Sequence, residues 1–163
     1  MERRKVLNGT FEVGLRLLAI LTTCKKAMTV ERMTIYSYFT LYLSDYHSEE
    51  TNIHPAIPNR NASYLNSKDV IMAALEMLLK KGLIESNVKS MSLKFQATEL
   101  GNLLYRQMDG AYKDKLVESI KRTHSLMKGK TDRSLNDYVY NNMAQWGSEF
   151  EYESVLKDMG YAE

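Results

Sequence analysis

The residues able to do chemistry gather in one stretch. Asp45, His47, Glu49, Glu50 and His54 offer carboxylate oxygens and imidazole nitrogens, the mixed donor set of a divalent metal. A catalytic zinc needs about three ligands fixed on rigid elements, and this stretch has no period of helix or strand. His54 stands between the β-branched Ile53 and Pro55, which restricts its backbone to extended forms and could aim its imidazole at a partner. A hydrogen-bonded loop histidine is the plainer reading of it. His124 falls beside the apolar stripe of a later helix and reads as a boundary residue. Cys24 is the single cysteine, so neither an internal disulfide nor a Cys/His zinc site can be assembled around it. Lys25 and Lys26 next to it favour a thiolate, yet no base lies near it in sequence, and a thiol nucleophile is not expected. No P-loop, GxGxxG or GxSxG is present, which removes the phosphate cradle and the hydrolase elbow. No cofactor is expected.

The elements that must position these residues follow from composition and periodicity. A chain of 163 residues with 44% hydrophobic and 26% charged residues has the composition of one globular domain with a core. No uncharged apolar run reaches the length of a membrane span and no signal-peptide core follows Met1, so a cytoplasmic protein is expected. Charge is uneven beneath the net +2. Met1–Met33 carries seven bases and three acids, Ala111–Arg133 again seven and three, and Ser134–Glu163 one base and six acids. A basic body with an acidic, aromatic tail fits a protein that meets charged partners, the tail serving as a docking segment. The alternative is a solvated surface. Eleven tyrosines and ten methionines could likewise furnish an adaptable contact surface, although most are expected in or around the core.

Thr10 is placed to cap a first helix with Phe11, Leu15, Leu18 and Thr22 on one stripe. Thr29 caps a second, with Met33, Tyr36, Phe39, Thr40 and Leu43 on one face. Ser44 to Asn66 then reads as a long loop holding both prolines, and loops beyond ~15 residues in a compact domain lean towards function. Asn66 or Ser67 caps a third helix with Ile71, Ala74, Leu75, Leu78 and Leu79 inward, stopped by Gly82. Leu83–Glu85 reads as a short strand and Ser86–Ser90 as a turn; Met91, Leu93, Phe95 and Ala97 then alternate in strand fashion. Thr98 caps a fourth helix, Tyr112, Leu116, Ile120 and Met127 mark a fifth, and Ser134 with Asp137 starts a last one ending near Trp146.

The fold class is therefore mainly α with a small β-hairpin. Three helices and a hairpin make a winged-helix-like domain over residues 1–108, with a C-terminal helical extension over 109–163 packed on it. The third helix would be the DNA reader. Away from its core stripe it offers Lys68, Asp69, Met72, Glu76, Lys80 and Lys81, with no arginine and no amide side chain after the cap. Bidentate base reading needs those types, so sequence-specific DNA recognition is not expected. Non-specific phosphate contact remains open for Lys113, Lys121, Arg122, Lys128, Lys130 and Arg133, although helical geometry scatters them and a solvated surface competes.

The loop carries a resemblance. Ile53-His54-Pro55-Ala56-Ile57-Pro58-Asn59-Arg60 follows a Tyr- and Leu-rich helix ending in Leu43-Ser44-Asp45, and precedes Ala74-Leu75-Glu76-Met77-Leu78-Leu79-Lys80-Lys81-Gly82-Leu83-Ile84. Ala97-Thr98-Glu99-Leu100-Gly101 and Ala111-Tyr112 come next in order. Together these resemble the middle component of bacterial ABC three-component defence systems, a family similar to the small subunit of Lamassu-type SMC-like anti-phage systems. The resemblance implies a non-catalytic accessory subunit that bridges an SMC/Rad50-like ATPase and an effector such as a nuclease, with DNA reached through the complex and no membrane. It carries over His54, Pro55, Pro58 and Arg60 as an element that is structural or faces a partner. The competing classes are an autonomous winged-helix transcriptional regulator and a metal-dependent hydrolase built on the histidine loop.

Overall fold

The computed structural model describes residues 9–150. Seven α-helices and one hairpin follow in order among them: α1 (Thr10–Cys24), α2 (Val30–Leu41), α3 (Arg60–Leu65), α4 (Ser67–Lys80), β1 (Ile84–Lys89), β2 (Ser92–Ala97), α5 (Glu99–Gln107), α6 (Ala111–Met127) and α7 (Asp132–Asn142). Single 3-10 turns follow α2 at Leu43–Asp45 and α7 at Met143–Gln145. The mainly helical class with a small hairpin is what the sequence predicts. Among the described residues, no helix is long and apolar enough to cross a membrane.

α1 is the central element rather than a one-sided helix. Val13, Leu17, Leu18, Ala19, Ile20 and Leu21 are all buried, because α2, α4, α5, α6 and β2 pack around it. A helix that is apolar all round belongs inside. Phe11, expected on the core stripe, is exposed because it precedes the enclosed part, and the helix starts one residue early, with Gly9 at the cap position and Thr10 inside.

Capping fixes three other starts. Thr29 Oγ1 accepts from the Arg32 amide, Thr98 Oγ1 from Gly101, and Thr131 Oγ1 from Ser134, each at 3.1 Å. α7 therefore begins before the expected Ser134, since Thr131 already meets the free amide three residues on. Gly101 is required by contact: a Cβ there would lie 2.0 Å from the Leu83 carbonyl oxygen. This close approach lets the hairpin lie against α5.

The hairpin differs from expectation in its turn. β1 runs to Lys89 and pairs with Ser92, leaving Ser90 and Met91 as a two-residue loop at φ 51° and 61°. That is a type I′ arrangement, and Ser-Met lacks the Asn-Gly signature that announces one. Met91 is accordingly fully exposed, while Phe95 turns inward. Met28 extends the sheet, exchanging backbone hydrogen bonds with Phe95 at 2.9 and 2.8 Å.

One apolar core runs through both halves of the chain. Leu116, Ile120, Met127, Leu135, Val139 and Trp146 join the cluster built by α1, α2 and α4. Polar bonds run along the same seam. Ser119 Oγ donates to the Thr40 carbonyl at 2.6 Å, and Arg32 binds Asp132 through Nε at 2.6 Å.

Candidate functional site

The loop between α2 and α3 is ordered by anchors at several points. Asn52 Oδ1 accepts from the Ser44 amide at 2.9 Å, and the Ile53 amide donates to the Leu41 carbonyl at 3.1 Å. The expectation of an irregular stretch to Asn66 fails at its end, where α3 forms. Asn59 adopts a left-handed backbone (φ 53°) and turns the chain into that helix. Gly147, at φ 91°, passes so close that a Cβ would stand 2.5 Å from the Asn59 amide nitrogen.

Arg60 is the principal anchor. Its guanidinium is buried, with Nε and Nη2 donating to the two Asp45 oxygens at 2.8 and 2.6 Å. Nη1 pairs with Glu149 and donates to the Ile57 carbonyl at 3.4 Å. Asp45 also accepts from the Tyr38 hydroxyl at 2.6 Å. Two-point binding to a carboxylate uses the planar fork that only arginine offers. The bonds from Asp45 hold the guanidinium firmly protonated against the opposing effect of burial, while burial and then Asp45 push the Tyr38 hydroxyl up. Beneath this network Tyr38 stacks on Trp146 with centroids 4.5 Å apart, and Tyr64 meets both rings edge-on. These tyrosines support the loop from below, Tyr38 as part of the buried core and Tyr64 packed against it.

The other motif residues separate by role. His54 is half-buried, shares a 2.9 Å hydrogen bond with the Tyr112 hydroxyl, and has its imidazole pushed below the usual range by burial and by nearby Arg16. Pro55, Ala56, Ile57, Pro58 and Asn59 are exposed. The element thus has buried ends and an open, largely apolar crest.

The candidate metal donors do not converge. Asp45 is engaged by Arg60, Glu50 by Arg122 at 3.2 Å and His54 by Tyr112, and no group of three His, Cys, Asp or Glu side chains among the described residues could hold a metal. Burial pushes the Cys24 thiol up to about 12, against the pull of Lys26, so the neighbouring lysines do not make it a thiolate. Burial likewise lowers His124, whose Nδ1 lies 3.0 Å from the Tyr36 hydroxyl.

The basic residues also divide. Lys113 Nζ donates to the carbonyls of Tyr105, at 2.7 Å, and Met108, closing the end of α5. Arg122 binds Glu118 and Glu50. Lys121, Lys128, Lys130 and Arg133 are exposed, and none makes an ion pair among the described residues. Folding adds cations that periodicity in one segment could not connect: Lys25, Lys26 and Arg106 join Lys113 and Lys121 around a groove of about 890 Å³. The adjacent Lys25-Lys26 pair was its only sequence signal. Most of the acidic tail lies outside the described residues.

The fold and site define a small helical domain that presents an anchored surface loop. The family model described as ABC-three component (ABC-3C) system Middle Component 2 matches residues 6–149. The chain belongs to this family and is a middle component of an ABC three-component defence system, which works with partner proteins. Comparison with curated proteins and with solved structures gives no match.

Proposed function

We propose that this chain is a non-catalytic adapter, bridging an SMC/Rad50-like ATPase and an effector such as a nuclease, and that the Pro55–Asn59 crest is one of its docking faces. The observation that carries this reading is the burial of Arg60 beneath an exposed Pro55-Ala56-Ile57-Pro58 segment. Two prolines and a buried ion pair leave little freedom to lose when a partner binds, and pre-organisation of that kind raises affinity. The order of helices and hairpin, with Met28 pairing to Phe95 as a third strand-like partner, supports a winged-helix reading of the body. Such domains serve in protein docking as readily as in DNA reading, and the exposed face of α4 favours docking. Its Lys80 is paired with Glu76 at 2.6 Å and its remaining residues are poor base readers.

Co-expression with the other components of the same ABC three-component system tests the adapter. Both partners are expected to co-purify with the wild-type chain, and Ala56→Asp, on the exposed crest, is expected to release one of them without changing the melting temperature. If neither partner co-purifies, and neither changes behaviour when this chain is left out, the adapter reading fails. Tight sequence-selective DNA binding by the isolated chain, falling steeply with salt, would favour the regulator instead.

A further inference from the structure

Three arginines are buried, and two of them have a carboxylate: Arg32 pairs with Asp132, and Arg60 with Asp45 and Glu149. Arg16 has none. It is 6% exposed, its Nε donates to Ser37 Oγ at 2.9 Å, and its Nη1 has no hydrogen-bond partner among the described residues. Glu12, one turn earlier on α1, makes no ion pair with it, and burial pushes the guanidinium below its ordinary range. A buried cation without a counter-ion is among the costlier arrangements in a fold.

Arg16 lines a cavity of about 330 Å³ between α1, α2 and the corner where α3 meets α4. That is within the ~300–1,000 Å³ range of small-molecule sites. Tyr42, Tyr64, Ile57 and Val70 also line it, giving it two aromatic rings and an apolar wall. Asn66 and Ser67 bring the N-terminus of the 14-residue α4 to the same cavity, and Asn66 makes no side-chain cap there. The positive end of that helix adds to the guanidinium; the acid of its first turn, Asp69, is exposed.

We propose that this cavity binds an oxyanion carried on a flat aromatic body, a phosphate monoester or a carboxylate, with Arg16 taking the charge and the tyrosines taking the ring. The site goes beyond the docking reading and does not rest on it, because the isolated full chain suffices to test it. Thermal unfolding and calorimetry with 5′-AMP, indole-3-acetate and inorganic phosphate are the assays. Saturable stabilisation by 5′-AMP or indole-3-acetate is expected, and which of the two acts identifies the oxyanion's source. Arg16→Met is expected to abolish that saturation while keeping a cooperative melting transition, because loss of the Ser37 bond is set against removal of a buried charge that makes no ion pair among the described residues. Should that variant fail to fold, Arg16→Lys keeps the charge but loses the fork, with roughly tenfold weaker binding expected. The proposal is overturned if neither organic anion saturates at millimolar concentration, if binding survives the substitution unchanged, or if phosphate alone binds as tightly as 5′-AMP.

Discussion

The ion pair between Arg60 and Asp45 gives the sharpest test of the loop's architecture. Its side chains are 6% and 8% exposed, so removing one partner leaves a charge away from water. Truncation of a buried pair costs about 3–5 kcal/mol. Glu149, the other carboxylate on Arg60, is 47% exposed and compensates only in part. Asp45→Ala is therefore expected to cost about 3 kcal/mol. At roughly 2–4 °C per kcal/mol for a chain of this size, the melting temperature falls by about 6–12 °C. Arg60→Ala should cost a similar amount, because Asp45 then keeps only the Tyr38 hydroxyl and its remaining exposure to water. Urea unfolding of wild type, both single variants and the double variant gives the coupling directly, expected at about 2–3 kcal/mol. Lys80→Ala, which breaks an exposed pair with Glu76, should leave the midpoint unchanged. Single costs below about 1 kcal/mol, or coupling near zero, would refute the claim that the ion pair holds the loop down.

The histidines make stability depend on pH. Burial lowers both His54 and His124 in the folded chain, so the unfolded chain binds more protons below about pH 6.5, and stability falls as pH drops through that value. His54→Gln should flatten the slope of unfolding free energy between pH 7 and pH 5; an unchanged slope would contradict the burial argument. Gly101→Ala should lower stability by about 3 kcal/mol or more in urea unfolding, because its Cβ would sit 2.0 Å from a backbone oxygen that cannot move aside cheaply. Cys24 should resist iodoacetamide at pH 8 in the folded protein and react on unfolding, as a thiol pushed up to about 12 requires. Rapid native labelling would show that the thiol is not held in its neutral form.

Sequence was informative wherever one local rule decided the outcome. Thr29 and Thr98 met the free amides of the helices they start, and Ile71, Ala74, Leu75 and Leu78 fell on one buried stripe, although Leu79, expected on it, is exposed. It failed where a distant neighbour decided. Phe11 looked like the head of a core stripe but precedes the enclosed part of α1. The turn at Ser90-Met91 is imposed by the register of the strands, against the preference of its residues. The family element was legible as a pattern, His54 to Arg60, and not as a division of labour. Nothing local distinguishes an arginine buried on Asp45 from one aimed at a partner, since Asp45 stands fifteen positions away and Glu149 eighty-nine. Arg16 is harder still, because Glu12 stands one turn away on the same helix and only the folded chain shows that the two make no ion pair.

The loop is long, and each residue of it that is ordered gives up about 1–2 kcal/mol of backbone entropy. Anchors at Ser44–Asn52, Leu41–Ile53, His54–Tyr112 and Arg60–Asp45 offset that cost with bonds made to α2, to the turn after it and to α6. A loop needed only to join α2 to α3 could be shorter and carry fewer of them. Three of the anchors engage α2 or the turn after it, while His54 reaches Tyr112 on α6 and Arg60 also reaches Glu149 beyond α7. The crest is thus fixed relative to both halves of the chain, the half that contains the hairpin and the half that ends in the acidic segment. A partner seated on the crest would meet a surface whose orientation is set by the whole core, so force or displacement applied there is transmitted to the body instead of being absorbed by a flexible tether.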